Sequence, residues 1–172
     1  NMPSPQATIY DYAEGIYRFI RKVIGEPTVI IGHSFGGRIG LILGSRSLVS
    51  GLVLVDSAGL KPRLSFAQKL RIRRYKRLRN LVELDRVDAR KLERFGSRDY
   101  RNLPEGLRGV FVRVVNEDLA KFAQMVDKPT LILWGRSDRT TPPRMARKLC
   151  RLISGSRLGW LHGGHFSYLA SP

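Results

Sequence analysis

Short apolar runs alternate along the chain with segments in which apolar residues recur every three or four positions. Ile9, Ala13, Ile16, Phe19, Ile20 and Val23 make one such face and predict a helix over Ala7–Ile24, stopped by Gly25 and Pro27. Four apolar runs read as strands. The first is residues 28–32, rich in β-branched side chains. The second, Leu52-Val53-Leu54-Val55, and the third, residues 129–135, are short and continuous, as expected of buried parallel strands. The fourth, Arg157-Leu158-Gly159-Trp160-Leu161, is poorer. Helices are predicted after the first strand, to about Leu43, and from Pro142 to Leu152 with Met145, Leu149 and Leu152 inward. Strands alternating with helices predict an α/β fold with a mostly parallel sheet of about four strands.

Residues 61–127 break the alternation. From Lys61 to Arg79 basic residues recur with no acid among them, and Phe66, Leu70, Tyr75, Leu78 and Leu81 form an apolar stripe at helical spacing. Asp88 is a suitable N-cap for a shorter helix to Phe95, ended by Gly96. Pro104 opens another, running through Val110, Val114 and Leu119 to Met125. No strand is predicted here. The stretch reads as a helical insertion that divides a core made of residues 1–60 and 128–172.

A length of 172 residues suits one domain with such an insertion. The net charge of +17, from 31 Lys and Arg against 14 Asp and Glu, draws the chain toward anions: nucleic acid, a lipid surface or an acidic substrate. A generally arginine-rich composition that keeps a protein soluble gives the same number. The basic run has no recognised nucleic-acid-reading motif and few stacking aromatics beyond Tyr75, so no specific nucleic acid is expected. Membrane-surface contact is the other use of such a helix. No apolar run approaches the roughly 20 residues of a membrane span, and no secretion leader is recognised. The single cysteine, Cys150, leaves no internal disulfide and no cysteine-rich metal site. The expectation is a cytoplasmic protein without cofactor or metal.

The candidate chemistry lies between the first strand and its helix, in Gly32-His33-Ser34-Phe35-Gly36-Gly37. A strand that turns at once into a helix strains its central residue, and side chains two positions to either side would collide, hence glycine. The turn holds the serine oxygen at its tip. The N–H of Phe35 falls at a helix start, where an anion is favoured. An ordinary tight turn with a bystander serine would have the same pentapeptide. A serine hydroxyl needs a base, and the base an orienting acid. In an open parallel sheet such groups meet at the carboxyl ends of strands. The loops that follow strands offer Asp56, Asp138 and the pair His162 and His165.

These stretches together resemble the α/β-hydrolase superfamily, in its cap-bearing branch of esterases, carbon–carbon bond hydrolases and proline iminopeptidase-like enzymes. The resemblance rests on residues 29–37, on Leu52–Asp56, on residues 129–135 with Asp138, and on Gly164-His165-Phe166. It covers nearly everything outside 61–127. It implies a partial α/β-hydrolase fold with an inserted helical cap, and a small-molecule substrate. It implies Ser34 as nucleophile, His165 as base, Asp138 as acid and the Phe35 N–H as an oxyanion donor. Serine at the turn argues against a dehalogenase. Asp56 is the alternative acid, since some relatives place theirs there. The rival reading of Asp138, ranked below the acid, is that it starts a turn before Thr140-Thr141-Pro142 and caps the next helix. His162 lies within reach of the same cleft, His33 suits packing beneath the turn, Cys150 reads as a small apolar residue and Trp134 as core. Relatives have further strands and a second oxyanion donor upstream, and a closing helix downstream. The chain is therefore expected to be a fragment whose first strand is an open edge and whose sheet has one uncovered face.

Overall fold

The computed structural model describes residue 4 and residues 6–61, 66–95 and 98–170. Helix α1, Ile9–Phe19, starts at a capping box: the Thr8 hydroxyl accepts from the Asp11 N–H, and the Asp11 carboxylate accepts from the Thr8 N–H. The helix continues as a π-helical turn, Ile20–Ile24, and ends at Gly25 with φ +75°. Strand β1 (Thr28–His33) then runs into α2 (Phe35–Leu43), and β2 (Val49–Val55) follows. After the helical stretch come β3 (Thr130–Gly135), α7 (Arg144–Leu152), β4 (Arg157–Leu161) and the short α8 (Ser167–Ala170).

The four strands form one parallel sheet in the order β1-β2-β3-β4. Helix α2 packs on β1 and β2, α7 packs on β3 and β4, and α1 packs on α2. Strand residues alternate accordingly. Leu52, Leu54, Ile132 and Trp134 are buried beneath the helices. Val29, Ile31 and Leu131, which point the other way, are exposed. Among the described residues β1 and β4 lie at the two edges of this sheet. The α/β fold with its four parallel strands is thus present.

The chain divides into two compact units, Asn1–Lys61 with Val112–Pro172, and Pro62–Phe111. The smaller unit contains α3 (Phe66–Glu83), a 3-10 turn over Ala89–Arg94, α4 (Arg98–Asn102) and the first turns of α5 (Glu105–Asn116). Asp88 accepts from the Arg90 N–H at 2.8 Å and so caps the 3-10 turn. The helix end expected at Gly96, and Arg63 of the basic run, lie outside the described residues. Helix α3 buries none of its residues, so its apolar stripe is not a core face.

Residues 112–127, which the sequence pattern assigns to the insertion, group with the sheet. The helix expected from Pro104 to Met125 is two helices, because the chain breaks over 117–119 before α6 (Ala120–Met125). The break has a partner. The Leu119 N–H donates to the Gly59 carbonyl at 2.8 Å, and Leu119 and Ala123 are fully buried, with α6 packed on α2 and α7.

Candidate active site

Ser34 sits between β1 and α2 with φ +47° and ψ −107°, a conformation that L side chains rarely adopt. Its backbone is held on both sides. The Ser34 N–H donates to the Val55 carbonyl at 3.1 Å, and the Ser34 carbonyl accepts from the Ala58 N–H at 3.0 Å and the Gly37 N–H at 3.1 Å. Gly32 has no room for a side chain, since a Cβ there would lie 2.6 Å from the Gly36 carbonyl oxygen. The strain is thus fixed by backbone contacts from β2 and α2.

Three strand ends bring the polar groups together. His165 Nε2 lies 2.9 Å from Ser34 Oγ, and His165 Nδ1 lies 2.9 Å from Asp138 Oδ2. Asp138 is buried and well supplied with donors. Its Oδ1 accepts from the Thr140 N–H at 2.7 Å and the Thr141 N–H at 3.0 Å, and its Oδ2 lies 2.6 Å from the Thr141 hydroxyl. Burial pushes the Asp138 carboxyl up. The donors from Thr141, His165 and Thr140 outweigh it and hold the group below the usual carboxylate range. Ionised, Asp138 is an acceptor only, so His165 carries its proton on Nδ1 and leaves Nε2 to accept from the Ser34 hydroxyl. One Asp138 oxygen closes the turn over Thr140 and Thr141 and the other faces the imidazole, while the helix that follows has Pro143, not Asp138, at its N-cap.

The profile of the alpha/beta hydrolase family matches residues 3–172. The chain belongs to the alpha/beta hydrolase family. A pyrrolizixenacetamide deacetylase from Xenorhabdus hominickii is 31% identical over 55 residues, 32% of this chain and 21% of that protein's length. A serine hydrolase involved in carbazole degradation superposes with a TM-score of 0.67 at 25% identity, over 100% of this chain and 69% of that one. The enol-lactonase from Burkholderia xenovorans gives 0.70 at 18% identity, over 99% and 70%. The chain therefore spans only part of the length of each of these relatives.

The other candidates lie elsewhere in this family member. Asp56 directly follows β2 and is fully buried. Its Oδ1 accepts from the Gly135 N–H at 2.7 Å and its Oδ2 from the Ser167 hydroxyl at 2.6 Å, so it faces neither nitrogen of His165 within hydrogen-bond reach. His162 is exposed. His33 Nε2 lies 2.7 Å from the His165 carbonyl oxygen, and the two rings are 5.0 Å apart, so His33 ties the loop of His165 to the end of β1. Phe35 is the first residue of α2, where an N–H has no partner inside its own helix. Its ring packs edge-on against Tyr12 at 5.5 Å. Trp134 is core, and its indole N–H donates to the Thr141 carbonyl at 2.8 Å. Cys150 is half-buried, its thiol 3.8 Å from the Ser156 carbonyl oxygen. No group of three or more His, Cys, Asp or Glu among the described residues is placed to hold a metal ion.

Two neighbours of the site, Thr141 and Ser167, were not singled out from the sequence. Thr141 had a local signal, since an Asp followed two and three positions later by Thr is a turn in which side chain and backbone exchange hydrogen bonds. Ser167 had none, because its partner Asp56 is 111 positions away.

Proposed function

We propose that this is a serine hydrolase that cleaves an ester-like or related carbonyl compound through an acyl-enzyme on Ser34. The observation that carries the reading is the unbroken line Ser34 Oγ, His165 Nε2, His165 Nδ1, Asp138 Oδ2, with both gaps at 2.9 Å. Each gap is within the range expected of a nucleophile, its base and the group that orients the base. The names of the relatives, a deacetylase, a serine hydrolase and an enol-lactonase, lend support.

In this mechanism Ser34 Oγ attacks the carbonyl carbon as His165 Nε2 takes its proton. The negative charge that develops on the carbonyl oxygen is met by the Phe35 N–H, where α2 begins. The imidazolium is stabilised by the Asp138 carboxylate. His165 then gives the proton to the leaving group as the tetrahedral intermediate collapses. A water attacks the acyl carbon, losing its proton to His165, and Ser34 departs with that proton restored. The unit Pro62–Phe111, by its place in the chain between β2 and β3, is read as the cap that selects substrate. The alternative, a basic module for nucleic acid or anionic lipid, is supported by charge alone.

A fluorophosphonate probe tests the reading. It is expected to label the wild-type protein on Ser34, with Ser34→Ala abolishing labelling and lowering turnover of a responsive ester by about a millionfold. Equal labelling of Ser34→Ala overturns it.

A further inference from the structure

We propose that Asp56 is a positioning residue: its buried carboxylate joins the loop of Asp138 to the loop of His165 and so sets the spacing of the two. The inference rests on the reading of Ser34, His165 and Asp138 given above, and assigns Asp56 a part other than the acid.

The geometry is specific. Gly135, whose N–H meets Asp56 Oδ1 at 2.7 Å, ends β3 three residues before Asp138. Ser167, whose hydroxyl meets Asp56 Oδ2 at 2.6 Å, starts α8 two residues after His165. One carboxylate thus binds the end of β3 and the start of α8, which carry the acid and the base on their adjoining loops. Ser167 is itself fully buried. The Asp56 backbone is fixed too. It has φ +43°, its N–H donates to the Leu133 carbonyl at 3.0 Å, and its carbonyl oxygen lies 3.0 Å from the Thr141 hydroxyl. That hydroxyl has one proton. The shorter approach, to the charged Asp138 Oδ2, claims it.

The chemistry explains why an acid stands here. A carboxylate in a dry site is costly unless both oxygens find donors. At Asp56 each oxygen has one, and the two donors come from different elements, the end of β3 and the start of α8. Simple packing beneath the sheet would be served by an apolar residue at no such cost. A non-glycine residue in the left-handed region is a further cost, and persists only where the surroundings over-determine it. A displacement of about 1 Å between reacting groups can lower a rate a hundredfold. A tie across the two loops therefore has a kinetic consequence that a tie within either loop would not.

The test compares Asp56→Ala, Asp56→Asn and Ser167→Ala with wild type. It reads the rate of fluorophosphonate labelling of Ser34 per folded molecule, well below each melting temperature. Asn keeps an oxygen for the Gly135 N–H, and its amide can donate to a Ser167 hydroxyl that turns round. The expected result is about a ten- to hundredfold slower labelling for Asp56→Ala and Ser167→Ala, and recovery to within about threefold for Asp56→Asn. The low-field proton signal of the His165 Nδ1–H bond to Asp138 should weaken in Ser167→Ala and persist in Asp56→Asn. Ser167→Ala removes only the tie to the His165 loop, so it decides the matter if Asp56→Ala does not fold. Folded Ser167→Ala that labels at the wild-type rate with an unchanged proton signal overturns the inference and leaves the serine-hydrolase reading intact. Wild-type protein that does not label overturns both.

Discussion

At the scale of single residues, the site depends on which partner each carboxylate finds. Asp138 and Asp56 both follow strands and both are buried, yet only Asp138 faces an imidazole nitrogen. Its hydrogen bonds keep its folded value below the usual one, which gives a pH prediction of definite sign. An unfolded Asp titrates near about 4. The stabilisation that Asp138 gains from ionising in the folded protein is therefore fully present above about pH 5. It is lost as pH falls through the lower folded value. Denaturant unfolding of wild type and Asp138→Asn from pH 3 to 7 should show a stability difference that is greatest at neutral pH and shrinks toward acid. A difference that grows toward acid would contradict the hydrogen-bonding account. In turnover, Asp138→Asn should cost about ten-thousandfold, since an amide facing Nδ1 favours the wrong imidazole tautomer.

At the scale of elements, the turn from β1 to α2 positions Ser34, and two residues show what holds these elements in place. Gly32 is one. A methyl group there would meet the Gly36 carbonyl oxygen and carbon and the Gly37 nitrogen, all backbone and all within 2.8 Å. Gly32→Ala should therefore push the turn open. The expected outcome is a loss of about 1–3 kcal/mol in unfolding free energy, together with a fall in Ser34 labelling per folded molecule. Arg38 is the other. It is buried on α2, with its guanidinium donating to the Val115 carbonyl at 2.7 Å and the Glu117 carbonyl at 3.0 Å. Burial pulls its pKa down, while Glu117 and Asp118 push it up. Arg38→Met would leave two carbonyls without their charged donor, and urea titration should register a loss of about 2–4 kcal/mol. The sequence showed Gly32 through its spacing from Ser34. It gave no sign of Arg38, which reads as one more cation in a basic chain. The break between α5 and α6 was equally hidden, because it depends on a hydrogen bond from Leu119 to Gly59, 60 positions back.

At the scale of the whole molecule, one face of the sheet is covered by helices and the other presents Val29 at 55%, Ile31 at 73% and Leu131 at 39% exposure. An apolar face beside an open edge strand favours association. The 172-residue chain should sediment as more than its 19.5 kDa monomer at micromolar concentration, and Ile31→Lys should shift it toward monomer. A wild-type monomer at that concentration would count against this. By itself the sequence determined the alternation of strands and helices, the strained serine turn, and the order in which Ser34, Asp138 and His165 follow separate strands along the chain. Those features are local: hydrophobic period, glycine spacing and residue type are each written within a few positions. Only the tertiary structure decided which aspartate meets His165, that Asp56 instead binds Gly135 and Ser167, and that residues 112–127 fall in the same compact unit as the sheet. Those outcomes depend on groups tens of positions apart meeting at distances near 3 Å, and no local pattern encodes such a meeting.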